Sequence, residues 1–441
     1  MNILIICTYY PPDIAIAAKR PYMLAKYLGQ MGHNVTVIRS GEINIKIDKN
    51  FQYNSPNVKV YSYLGEQSTA EKYARGEIED FVIPKKGRLS NLPKCLKGII
   101  ITAYNGITFP LKIRGFFNSA KKRSALLKNY IDKLEEKNFD AVFATYSNLE
   151  NLYAGEYAAK KFGCKFIADF RDLMAQKTKQ PFLEYIIKHK AQASIVKRAN
   201  ACTTVSDGLS KTLQSHTLEK KVFTLYNGYE QGEVDISSAE DDNRLSFCYT
   251  GSLYKKLSDA SILFKVLSEL ENEGKIDRKN IVFNYAGSSY EEMLAQAKLY
   301  GWDDILVNHG FLDSNQTAKL QKSSDLFVVL TWNMKHNTGV LTGKFYEALK
   351  IKRPVVALVS GNKADSELGR IISQYNLGVC YEKALHKSGK TLLKEYILTQ
   401  YNHKLNNEDL DYNPNQEIFE RFEYTNIAKQ IDGIIKEILN S

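Results

Sequence analysis

Short apolar runs alternate with longer amphipathic ones along most of the chain. Ile3–Cys7, Val35–Arg39, Ala141–Ala144, Lys165–Ala168, Ala201–Val205, Val222–Leu225, Leu245–Tyr249, Ile281–Tyr285, Leu326–Leu330 and Pro354–Leu358 read as strands. Lys19–Met31, Asn151–Phe162, Phe182–Ala199, Ser258–Glu271, Tyr290–Tyr300, Asn315–Lys322, Thr342–Lys350 and Gln416–Leu439 carry helical periodicity. Strands apolar on both faces, each followed by a helix, predict α/β units with parallel sheets.

The alternation runs twice. It predicts an N-terminal Rossmann-like domain over 1–228, a linker over 229–244 and a second Rossmann-like domain over 245–415. The linker is polar, carries Gly232 and ends in an acidic run with Asp241 and Asp242. A last helix over 416–441 is expected to return to the first domain. Two parallel sheets of this kind place ligands beyond the carboxyl ends of the strands, in a cleft that the two domains face.

Composition narrows the class without naming it. Of 441 residues, 44% are hydrophobic and 25% charged, with 26 Gly and 10 Pro, which excludes a disordered or collagen-like chain. The six cysteines are scattered and form no CxxC knuckle. The opening MNILIIC has no basic n-region and reads as a strand, and no apolar run reaches about 18 residues. A cytoplasmic protein is expected.

Charge adds a second feature. Lys and Arg number 60 against 49 Asp and Glu, a net +11. From Phe81 to Ile131 there is no acidic residue, and the window holds Lys85, Lys86, Arg88, Lys112, Arg114, Lys121, Lys122 and Arg123 among its cations. Apolar and aromatic residues such as Ile99, Tyr104, Phe116 and Phe117 interleave with them. The pattern suits an anionic membrane surface, or else a solvated basic face. No nucleic-acid motif accompanies it, so no nucleic-acid partner is expected.

Four loops after strands are candidates for chemistry. The first runs through Tyr10-Pro11-Pro12 to Ala17-Ala18-Lys19-Arg20. Its small residues and helix start admit a ligand, with Pro12, Ala17, Lys19 and Arg20 as contacts. The second is Asp169-Phe170-Arg171-Asp172, where two carboxylates flank a guanidinium; it reads as a base with sugar-binding groups, or as an ion pair with a helix cap. The third is Thr250-Gly251-Ser252, followed by Lys255 and Lys256, which can reach a diphosphate. The fourth is Asn337-Thr338-Gly339-Val340-Leu341-Thr342-Gly343-Lys344-Phe345-Tyr346-Glu347. There the Thr342 hydroxyl is expected to cap a helix whose first amides form an anion site, one turn before a carboxylate able to hold a ribose diol.

Other signals carry less. Asp409-Leu410-Asp411 has the DxD form of a metal motif, but no strand precedes it, and no metal is expected. His33 lies at a turn, and the remaining histidines form no cluster. Walker, GxGxxG and GxSxG loops are absent.

Taken in order, these segments resemble the bacterial GT-B glycosyltransferases of family 4, the group 1 glycosyltransferases, of surface-polysaccharide type. The first βαβ unit, Ile3–Ile6 through Tyr10-Pro11-Pro12 and Arg20 to Gly32–Ile38, is similar to theirs. So are Asp140–Phe143 with Ala168–Asp172, Ala199–Ser206, Leu225-Tyr226-Asn227-Gly228, Tyr249–Leu253, and Gly343–Leu349 with Pro354-Val355. The resemblance spans nearly the whole chain. It implies transfer of a sugar from a nucleotide diphosphate, UDP by the family's usual choice, with retention and without a metal or other cofactor. It implies Gly251, Ser252, Lys255, Lys256, Thr338, Gly339, Thr342, Gly343, Lys344 and Glu347 as donor contacts, with Glu347 on the ribose. With Asp169, Arg171 and Asp172 as catalytic candidates, the acceptor implied is a lipid-linked saccharide at the inner face of the plasma membrane, in capsule or O-antigen synthesis. Many members carry two Glu eight positions apart, and the first falls here on Gly339. An epimerase on the same architecture and a catalytically decayed membrane- or nucleic-acid-binding scaffold are the alternatives.

Overall fold

A computed structural model describes residues 1–40, 48, 51, 55–64, 94–176, 180–219, 221–232 and 243–441, with the backbone alone for 94–112. Two parallel sheets organise it. The first has seven strands in the order β3-β2-β1-β4-β5-β6-β7. These are β1 (Asn2–Cys7), β2 (Asn34–Arg39), β3 (Val58–Ser62), β4 (Ala141–Thr145), β5 (Lys165–Phe170), β6 (Ala201–Thr204) and β7 (Val222–Thr224). Every pairing is parallel, as where Ile3 sits beside Val35 on one side and Ala141 on the other. The second sheet has six strands in the order β10-β9-β8-β11-β12-β13. They are β8 (Leu245–Thr250), β9 (Ile281–Ala286), β10 (Leu306–Asn308), β11 (Leu326–Trp332), β12 (Val355–Ser360) and β13 (Gly378–Glu382). In both sheets the order reverses after the first strand in sequence, which opens a crevice at the carboxyl ends of the central strands. The expected α/β class with two parallel sheets is the observed one.

Strands β1, β4, β8 and β11 are buried along nearly their whole length, as their unbroken apolar runs require. Helices cover them: α1 (Ile16–Gln30), α2 (Lys94–Asp132), α3 (Leu149–Phe162) and α4 (Phe182–Arg198) pack on the first sheet. One core gathers Leu4, Ile6, Val142, Leu152 and Phe170 with Leu127 and Ile131 of α2. In the second sheet Phe247, Leu263, Phe283, Trp302, Val328 and Leu358 form another core.

By its contacts the chain divides into two compact units. Unit 1 comprises Met1–Val205, Thr212–Leu225 and Ala428–Ser441, and unit 2 comprises Ser206–Lys211 and Tyr226–Ile427. Most of the expected linker, 233–242, lies outside the described residues. Tyr229 within it is buried in unit 2, where its backbone N–H donates to Phe422 O at 3.0 Å.

The final apolar stretch is two helices, α12 (Glu417–Arg421) and α13 (Tyr424–Asn440). From Ala428 onward α13 belongs to unit 1. There Asp432 Oδ1 meets His33 Nε2 at 3.0 Å, and His33 Nδ1 lies 3.3 Å from the amino terminus of Met1. Burial lowers the His33 pKa.

Candidate functional site

The second unit brings the donor candidates together. Helix α9 (Gly343–Ile351) starts one residue after Thr342, as its pattern predicts. The predicted cap does not form: the Thr342 side chain makes no capping bond, and its Oγ1 is buried without a partner. A Cβ added to Gly343 would meet nothing within 4 Å, so there is open space at the helix start.

One turn further on, Lys344 Nζ donates to both oxygens of Glu347, at 2.9 and 2.8 Å. The pair lies on consecutive turns of one helix face, where side chains three apart meet. Gln321, at the end of α8 (Ser314–Ser323), joins them. Its amide donates to Glu347 Oε2 at 2.7 Å and to Thr250 Oγ1 at 2.7 Å. Gln321 is 4% exposed, whereas the Glu347 side chain is 37% exposed. Three hydrogen bonds occupy this carboxylate, which has roughly four acceptor directions. A direction on Oε1 therefore stays open to a hydroxyl.

Gly251 closes the other side. Its φ of +119° is closed to most L-residues, and a Cβ there would fall 2.9 Å from Lys344 Cε. The lysine stem thus lies on the bare backbone of the loop after β8. Tyr285 from β9 braces that loop by donating to Gly251 O at 2.8 Å, while it accepts from Ser289 N at 2.8 Å. The hydroxyls of Ser252 and Ser288 sit 2.7 Å apart. Lys255 and Lys256 are exposed on the turn that follows, without a bond to this cluster. Thr338 is half-buried and Gly339 buried.

Gly339 is enclosed. With φ at +74°, a Cβ on it would come within 2.5 Å of Ser206 Oγ, 2.9 Å of Glu367 Oε2 and 3.0 Å of Gly208 Cα. Glu367 opens α10 (Glu367–Tyr375) and accepts from Asp207 N at 2.8 Å, Gly208 N at 3.0 Å and the Tyr226 hydroxyl at 3.0 Å. The position where the resemblance implies a carboxylate has no room for a side chain.

Unit 1 separates the residues of the Asp-Phe-Arg-Asp segment. Asp169 is fully buried, where Arg20 Nη2 donates to Oδ1 at 2.9 Å and Nε to Oδ2 at 3.2 Å. Thr203 and Thr145 hydroxyls donate to the same carboxylate at 2.8 Å each. A base needs access to the proton it removes, and Asp169 has none. In this structure Asp169 anchors β4, β5, β6 and α1, and the buried Arg20 guanidinium is its ion-pair partner. Lys19 is exposed, with Pro12 and Ala17 half-buried beside it.

Arg171 and Asp172 instead line a cavity of about 360 Å³ with Tyr9, Tyr146, Ser147 and Lys188. Burial and the Asp172 charge push the Tyr146 phenol up to about 12.

Of the basic window, Lys85, Lys86 and Arg88 lie outside the described residues, as does the Lys112 side chain. Arg114, Lys121, Lys122 and Arg123 are exposed along α2, whose opposite side buries Ala120, Ser124, Leu127 and Ile131. No helix among the described residues is long and apolar enough to cross a membrane. Asp411 of the DxD segment exchanges backbone hydrogen bonds with the Gln400 amide.

Sequence reasoning missed Gln321, Glu367 and Tyr285. Each is a polar residue inside an ordinary helix or strand pattern, and only tertiary packing reveals its partner.

No known protein-family profile matches the chain, and no curated protein is similar enough in sequence to match. Solved structures do match. Sucrose-phosphate synthase from Thermosynechococcus elongatus superposes with a TM-score of 0.62 at 13% identity, over 99% of this chain and 98% of that one. The lipopolysaccharide outer core galactosyltransferase WaaB gives 0.58 at 13% identity, over 99% of both. HepE from Anabaena, solved with UDP and glucose, gives 0.56 at 14% identity, over 99% of this chain and 100% of that one. At such identities the likeness concerns architecture: the chain has the GT-B fold of these glycosyltransferases.

Proposed function

We propose that the protein is a glycosyltransferase that uses a nucleotide diphosphate sugar. The observation that carries this reading is the Gly251, Lys344, Glu347 and Gln321 cluster beside the open start of α9, on a GT-B fold. In this reading the ribose diol meets Glu347, and the diphosphate lies against Gly251, the amides of Gly343 and Lys344, and the Lys344 ammonium. Bond breaking at the anomeric carbon leaves both electrons on the diphosphate oxygen. Fixed N–H donors and a cation placed there lower the barrier, because they meet charge as it develops. Ser252, Lys255 and Lys256 stand on the same loop as further donor contacts, and Thr338 and Gly339 are proposed as donor contacts on the resemblance alone.

UDP is the nucleotide we propose, by the resemblance and by HepE, whose structure holds it. Retention of configuration, independence of metal and a surface-polysaccharide role are proposed on the resemblance alone. The acceptor we propose is a lipid-linked saccharide, reached from the inner membrane face. The exposed cations of α2 support that surface as the place of work.

The test is release of UDP from a panel of UDP-sugars, followed by coupled assay and repeated with Glu347→Ala. Slow release that the variant loses, accelerated by membrane extract as acceptor source, is the expected result. Absence of release together with absence of any thermal shift by UDP, GDP, CMP or TDP would overturn the reading. Product formed from UDP-sugar without acceptor and without UDP release would favour the epimerase.

A further inference from the structure

The cavity of unit 1 lies at the carboxyl ends of three adjacent strands. Tyr9 follows β1, Tyr146 and Ser147 follow β4, and Arg171 and Asp172 follow β5, while Lys188 reaches it from α4. Its two central charges do not satisfy one another. Among the described residues neither Arg171 nor Asp172 has an ion-pair partner. Arg171 spends one nitrogen, Nη1, on Ala17 O at 3.1 Å, and its Nε is buried with no partner at all. Lys188 is held by Glu184 at 2.8 Å and lies over the Phe116 ring, so it contributes little free charge.

With Nε sealed from solvent, the guanidinium meets a ligand in the cavity through its Nη atoms. A planar guanidinium answers a carboxylate or phosphate, with two parallel N–H donors. The rest of the wall suits a sugar ring. Two tyrosines offer aromatic faces, and Asp172 and Ser147 offer acceptors for ring hydroxyls. A cation and an anion held apart in one cavity fit a ligand that carries both an oxyanion and hydroxyl donors.

We infer that this cavity binds an anionic sugar, with Arg171 on its oxyanion and Asp172 on its hydroxyls. That the sugar is the acceptor of the transfer rests on the function proposed above; the chemistry of the cavity does not. The oxyanion has two sources, a uronic acid carboxylate or a phosphate ester on the sugar.

The experiment is ligand-observed NMR titration of the full chain with methyl glucuronide, glucose 1-phosphate, methyl glucoside and the neutral glucuronamide. The expected result is binding of an anionic sugar about 10- to 100-fold tighter than of methyl glucoside, since a hydrogen bond to a charged group contributes about that factor. Whichever of glucuronide and glucose 1-phosphate binds tighter identifies the source. Glucuronamide should behave like methyl glucoside, which tests the charge without touching the protein. Arg171→Gln should abolish the preference and Arg171→Lys should restore part of it, with melting temperature and the UDP-induced shift unchanged.

Equal binding of charged and neutral sugars, or a preference that survives Arg171→Gln, would overturn the inference. So would failure of both anionic sugars to bind a protein that still responds to UDP. Binding of the anionic sugar by a protein that ignores every nucleotide would sustain this inference and remove the donor reading.

Discussion

Glu367 Oε2 lies 2.9 Å from the point that a Cβ on Gly339 would occupy. The carboxylate absent from Gly339 therefore has a neighbour carboxylate, one that already accepts from Asp207 N, Gly208 N and the Tyr226 hydroxyl. Glu367 holds the first turn of α5 (Asp207–Gln214) against the loop of Gly339, and the Tyr226 phenol is pushed far up by burial and by that charge. Glycine at 339 is a condition of this packing.

Placing a carboxylate at position 339 should fail. Gly339→Glu should lower stability by at least about 1–3 kcal/mol, because it combines a positive φ with overlap against Ser206 and Gly208. Thermal unfolding of Gly339→Ala and Gly339→Glu checks this. A variant as stable as the wild type, or one with faster turnover, would contradict the packing argument.

Gln321 should matter to the nucleotide as well as to the fold. Gln321→Met keeps the volume and removes a hydrogen bond that orients Glu347. The expected loss of UDP affinity is about 2- to 10-fold by calorimetry, the range of one such bond. Unchanged affinity with lowered stability would reduce Gln321 to a packing residue.

Asp169→Ala should act on stability. It removes the carboxylate paired with the buried Arg20 guanidinium, at a cost of about 3–5 kcal/mol. Chemical denaturation should show this loss. Full stability with abolished turnover would return Asp169 to the chemistry.

His216 gives a pH signature. It is buried, its Nε2 lies 3.0 Å from the Gln192 amide nitrogen, and the His189 ring stands 4.5 Å away. Burial and the nearby cations lower its pKa from 6.5 to about 4. The unfolded chain therefore takes up a proton between pH 6.5 and 4 that the folded one refuses. Stability should fall through that window as pH drops, and this contribution should level off below it. His216→Gln should show a shallower slope in urea unfolding across the same range; identical slopes would exclude the assignment.

The basic face of α2 should bind anionic vesicles. Lys121→Glu with Lys122→Glu should weaken cosedimentation with phosphatidylglycerol vesicles by at least tenfold at low salt, at about 1 kcal/mol for each lysine removed. Rising salt should erase the difference. Vesicle binding indifferent to both would assign these lysines to solvent alone.

Much of the fold was legible because central strands of a parallel sheet are apolar throughout. Edge strands escape that signal: β3 is only half-buried, β10 has three residues, and β13 mixes Gly, Cys and Glu with two apolar positions. The helices α5, α10 and α11 (His386–Leu405) were not read either. The Gly251, Lys344 and Glu347 cluster was legible because loop glycines and helix starts announce themselves locally. The burial of Asp169 was not legible because depth is invisible in sequence: two carboxylates three apart look alike, yet one is sealed inside and the other opens on a cavity.

Lys344 and Glu347 are paired charges that cancel, so a phosphate or sulfate gains little beside them. To take the ammonium it must leave the carboxylate with the Gln321 amide alone. On the function proposed above, a nucleotide would bring a diol for the acid and a diphosphate for the base in the same molecule, and so trade one partnership for two. In that reading, selectivity against small anions resides in the Lys344–Glu347 pairing itself.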